Sequence, residues 1–138
     1  MRKGIALIAK GLALLGGIFA GFVGGVHGYY EITHGNVRPK GLLFDAVSGN
    51  VLAINNPHWT GWPAMTVIPN FLVAGIAVLI VGTIVIAWTI LRVNRKNGGL
   101  VLIALVIFLC VVGGGFVPPS FGIIGGMSGI VGEKLGRA

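Results

Sequence analysis

Acidic residues are nearly missing from this sequence: Glu31, Asp45 and Glu133 are the whole set. None lies in the middle of a long apolar run, and neither does any arginine or histidine. Ion-coupled transporters usually carry such a residue inside the membrane, so its absence counts against one. Cysteine is scarcer still. Cys110 stands alone in an apolar run, which excludes an intrachain disulfide; a lone buried thiol behaves as a small hydrophobe. Nucleophilic catalysis has no visible machinery, because Ser48, Ser120 and Ser128 have no obvious base near them in sequence. Gly113-Gly114-Gly115 is not a phosphate loop, since no Lys-Ser/Thr follows it. A non-enzyme is the leading reading, with an enzyme left open.

Charge of either sign is sparse. Charged residues make up 9% of the chain and apolar residues 55%, against about 25% charged in soluble domains. No charge interrupts residues 71–91, and none interrupts 98–132. Uncharged apolar runs longer than about 18 residues read as membrane spans. The net charge of +7 raises the question of nucleic acid. The cations form no stripe with interleaved aromatics, however. Arg2, Lys3, Lys10, Arg92, Arg95, Lys96, Lys134 and Arg137 flank the apolar runs, where the positive-inside rule puts them. Their partners are then lipid headgroups rather than nucleic acid.

The fold class expected is an all-α integral membrane protein: a glycine-rich bundle of four transmembrane helices in one membrane domain, 1–138. The spans fall at about 5–30, 70–91, 98–116 and 119–136, with an outer loop at 31–65 and a cytoplasmic turn at 92–97. The first segment resembles a signal peptide, with Ala20 as a weak cleavage site, and is read as a retained anchor. Tyr29 and Tyr30 sit at its far end like an aromatic belt. The outer loop carries Trp59 and Trp62 and is too apolar for free disorder; a short helix or strand pair on the membrane face fits it. Asn70 is a candidate N-cap for the second span. Pro118 and Pro119 should end the third. The fourth is barely long enough to cross. The alternative is three spans plus a re-entrant or interfacial C-terminal helix. Charge favours four: only Arg38 and Lys40 then lie outside, whereas three crossings would add Lys134 and Arg137 to them. The N-terminus is then cytoplasmic and the protein sits in the plasma membrane, of a prokaryote by its general layout.

Glycine is the abundant residue, with 25 copies. Gly17, Gly21 and Gly25 recur at helical spacing in the first span; Gly75 and Gly82 share a face in the second; Gly122, Gly126 and Gly129 do so in the last. Such faces admit another backbone closely. They serve packing within one bundle or self-association into a homo-oligomer.

One polar constellation stands out. His27, Glu31 and His34 are offset by four and three, which places them on one stripe of a continuing helix. Imidazole and carboxylate together suit a divalent metal such as zinc, with Asp45 or His58 as a further ligand; no other cofactor is called for. The pair could equally move a proton. The plainer reading is a set of solvated residues at the membrane boundary, especially as Thr33-His34-Gly35-Asn36 looks like a helix end.

Three functions compete on this basis. The leading one is a structural, accessory or assembly role acting through helix–helix contacts in a larger membrane complex. An oligomeric transporter or pore is the second. A metal-binding protein or enzyme using the outer-face His/Glu cluster is the third. The layout, with its Trp-Pro outer loop and Gly-Gly-Gly-Phe-x-Pro-Pro element, is similar to many small prokaryotic membrane proteins, and that likeness carries no activity.

Overall fold

The computed structural model describes residues 2–36 and 66–137, and every regular element among them is helical. Helix α1 runs Arg2–Thr33, α2 Phe71–Arg92, α3 Gly98–Leu109 and α4 Val117–Arg137, with a π-helical turn at Cys110–Gly114 between the last two. Two of these, α1 and α2, are long and apolar enough to cross a membrane. The outer-loop readings for Trp59, Trp62, Asp45 and His58 lie outside the described residues.

Local chemistry sets the ends. Asn70 caps α2 as its sequence position suggests, its side-chain oxygen accepting the Val73 N–H at 3.1 Å. Helix α1 runs past Tyr30 to Thr33 and closes on Gly35, whose φ of 73° suits a residue without a Cβ. The Leu72 N–H then donates to the Gly35 carbonyl at 3.1 Å, tying the end of α1 to the start of α2. At the other end of the bundle Asn97 takes φ 59° and its N–H donates to Glu133 on α4 at 2.9 Å.

The prolines act differently from the expectation. The chain breaks earlier, at Gly113–Gly115, and Pro118 and Pro119 fall in the first turn of α4. The first N–H groups of a helix have no intrahelical acceptor, so proline costs nothing there and its fixed φ favours the start. The fourth segment is therefore a continuous helix of 21 residues, about 32 Å long. It lies lengthwise against α1 rather than across the end of the bundle.

Contacts fix the directions. On α1 and α2, Gly21 meets Gly82 and Gly28 meets Gly75; on α1 and α4, Gly16 meets Phe121 and Gly125 while Lys10 meets Gly132. On α3 and α4, Gly99 meets Gly126 and Val106 meets Gly122. Consecutive helices are antiparallel, giving an up-down-up-down bundle. Helix α1 also touches its diagonal partner α3, with Leu102 against Gly17 and Leu109 against Gly24.

That diagonal contact follows from what α1 buries. Its buried residues are Ala6, Ala9, Ala13, Gly17, Ala20, Gly21, Gly24, Gly28 and Glu31, all but the last small. Its large residues, among them Leu7, Leu15, Phe19 and Phe22, are exposed. Water would select the reverse. The bulk of the core comes from the other helices, through Val78, Val85, Leu102, Val106 and Leu109.

The glycine faces found in the sequence are thus occupied inside the chain. A methyl group on Gly21 would lie 2.5 Å from Ile86 Cγ1 and 2.8 Å from the Gly82 carbonyl oxygen, whereas one on Gly11 would meet nothing within 4 Å. Gly25 is looser, with its nearest neighbour, Leu79, 3.9 Å from such a methyl. Overpacking of this kind costs roughly 1–3 kcal/mol or more. Gly21→Leu should therefore lower the thermal unfolding midpoint of the detergent-solubilised protein by several degrees. Gly11→Leu, on the same helix, should leave it unchanged.

Candidate functional site

The site forms where the last two turns of α1 meet the break between α3 and α4. The break has a physical signature. Gly113 takes φ 130° and Gly115 φ 75°, both conformations that side-chain-bearing residues rarely adopt. Thr66 and Val67, on the approach to α2, repair the broken ladder. The Thr66 hydroxyl donates to the Val112 carbonyl at 3.1 Å, and the Val67 N–H donates to the Val111 carbonyl at 3.2 Å. Thr66 Oγ1 in turn accepts the Ile68 N–H at 3.0 Å. Non-helical backbone in an apolar setting persists only when such partners are supplied.

Glu31 lies directly on this break. It is 3% exposed, and neither carboxyl oxygen has a hydrogen-bond partner among the described residues. A methyl group on Gly113 would stand 2.7 and 2.8 Å from its two oxygens, so only glycine fits beneath it. Sequence reasoning placed Glu31 at a wet boundary. The structure buries it, because α1 continues to Thr33 and packs its last turn under the glycine break. Buried polar groups without partners are rare, and each calls for an explanation.

His27, one turn earlier, rests on the same break. Its imidazole is 3.3–3.6 Å from where a methyl on Gly115 would be. His27 and Glu31 therefore share one face of α1 and address the two ends of one tripeptide. His34 goes elsewhere. Its Nδ1 is 2.9 Å from the Tyr30 carbonyl oxygen and so donates to it, and its ring packs on Phe71 with centroids 5.1 Å apart. Among the described residues no three His, Cys, Asp or Glu side chains converge as a metal set. Two of the three expected members come together, and His34 is turned to a structural task; Asp45 and His58 lie outside the described residues.

Sequence reasoning missed Thr66 and gave Gly113-Gly114-Gly115 no role beyond excluding a phosphate loop. The available signal was the triple glycine itself, standing ahead of Pro118-Pro119 in an otherwise unbroken apolar run.

A second feature is a groove of about 470 Å³ between α1 and α2, lined by Gly21, Gly25, Phe22, Tyr29, Thr83 and Ile86 among others. It is apolar, and the Thr83 hydroxyl in it donates back to the Leu79 carbonyl at 2.8 Å. It offers no convergent polar groups of the kind that fix a small ligand.

No protein family, curated protein or solved structure matches the chain.

The packing of Glu31 on Gly113 gives a direct test. Gly113→Ala should destabilise the protein by about 1–3 kcal/mol through the carboxylate clash and the positive φ together. Adding Glu31→Ala should restore part of that loss, because only the clash is relieved. Denaturation of the two single variants and the double variant, read as a cycle, measures the coupling.

Proposed function

We propose that the chain is a four-span integral protein of the plasma membrane that acts through its helix surfaces as an accessory or assembly component of a larger membrane complex. The observation that carries the membrane part is the inverted distribution of size on α1, small residues inside and large apolar residues outside. In a bilayer there is no hydrophobic force between helices, so close backbone packing through small residues is what holds them together. Lipid tails then cover the exposed Leu and Phe.

Charge supports the orientation. The described cations Arg2, Lys3, Lys10, Arg92, Arg95, Lys96 and Lys134 all belong to one end of the antiparallel bundle. That end is the cytoplasmic one by the positive-inside rule. Helix α4 is the fourth span in this reading, because it matches the bilayer's hydrocarbon thickness of about 30 Å and returns the chain to the cationic end.

The accessory role is favoured over a pore by the use of the glycines. A pore assembled from this chain would need glycine faces directed at neighbouring copies, and those of α1, α2 and α4 are engaged within the monomer. What remains outside is a large apolar surface suited to lipid and to helices of other proteins.

Orientation is tested by thiol accessibility in a Cys110→Ser background. Asn36→Cys should react with a membrane-impermeant reagent in intact cells, and Lys96→Cys only after permeabilisation; the opposite pattern would reverse the topology. The accessory role predicts stoichiometric co-purification with another membrane protein from mild detergent. It also predicts no solute flux from liposomes containing the purified chain; selective flux would replace it with the pore reading.

A further inference from the structure

We propose that His27 and Glu31, together with the glycine break at Gly113–Gly115, form a binding site for a divalent transition-metal cation of the zinc type. Glu31 supplies the first argument. Both of its oxygens are buried and lack partners among the described residues, in a side chain that is 3% exposed. A carboxylate in that position is stable only when something of opposite charge or a proton satisfies it. No lysine or arginine among the described residues belongs to this end of the bundle, so the chain's described part provides no ion-pair partner.

His27 decides between chemical classes. It shares the face of α1 that carries Glu31 and lies against Gly115 as Glu31 lies against Gly113. Hard cations such as Mg²⁺ and Ca²⁺ prefer all-oxygen sets, whereas imidazole beside carboxylate suits zinc and its neighbours. Residues four apart on a helix are surface neighbours, so the two donors lie side by side along the glycine break.

The glycines complete the argument. A methyl group at Gly113 would clash with the carboxylate, and one at Gly115 would come into contact with the imidazole, so glycine backbone lies against both donors. Two side-chain donors leave coordination positions open to water, to main-chain oxygen or to a ligand from outside. Such a site is exchangeable rather than a closed structural one. His34 does not contribute, being held by the Tyr30 carbonyl and Phe71.

The test uses the full chain in detergent micelles, stripped with a chelator and titrated with ZnCl₂ or MgCl₂. Calorimetry should show saturable uptake of zinc in the micromolar range, and zinc but not magnesium should raise the thermal midpoint. Glu31→Gln and His27→Ala should each weaken zinc binding by at least about tenfold. His34→Ala should leave it unchanged. Helicity and monodisperse elution are checked for each variant; if Glu31→Gln fails to fold, His27→Ala decides. Absence of saturable zinc uptake by the folded wild type overturns the proposal. So does uptake that His27→Ala leaves intact, which would place the metal elsewhere. Wild-type and Glu31→Gln proteins of equal stability with no metal response would mean that Glu31 holds only a proton.

Discussion

Close approach of helix backbones is the constraint on which the rest of this structure depends. Helix α1 presents glycine and alanine to three neighbours at once. It meets α2 through Gly21 and Gly28, α4 through Gly16, and α3 through Gly17 and Gly24. With larger side chains at those positions α1 would contact two helices and stand off from the diagonal one. Because it does not stand off, its last turn reaches beneath the end of α3. Glu31 stands there three residues beyond Gly28, which packs against Gly75.

The break between α3 and α4 follows from that arrangement. Leu109 fills the space over Gly24, and Gly113 and Gly115 must then turn the chain while lying flat on Glu31 and His27. Thr66 and Val67 donate to the carbonyls that the π-helical turn frees. A polar site has thus been built at one end of an apolar bundle, while the cations gather at the other. The two ends have separate chemistries: among the described residues one gathers the cations and the other carries a buried carboxyl group with no Lys or Arg beside it.

Much of the architecture could be read from the sequence, for identifiable reasons. The uncharged runs located the second and third helices, and Asn70 located a cap, because span length and capping are local properties. Glycine spacing identified the close-packing faces, since residues four apart share a helix face whatever surrounds them. The Pro118-Pro119 reading went astray because proline marks either the end of one helix or the start of the next, and only the preceding glycines decide which. Burial of Glu31 was not readable. It depends on α1 continuing to Thr33 and on Gly113, distant in sequence, lying against it. His34 has helical spacing from His27 and Glu31, yet α1 ends at Thr33 and the Tyr30 carbonyl accepts its Nδ1–H. Periodicity places a residue on a stripe, but it does not say where the stripe ends.

The glycine faces hold four helices together within one chain, with α4 antiparallel to α1. Phe19 and Phe121 mark that contact, with ring centroids 4.6 Å apart on α1 and α4. The most direct measurement is oxidative cross-linking of Phe19→Cys with Phe121→Cys, in a Cys110→Ser background and in native membranes. The account predicts a cross-link within the chain, at monomer mass on a non-reducing gel and independent of expression level. A cross-link found only at dimer mass, or none under conditions that link a control pair on adjacent turns of α1, would contradict it.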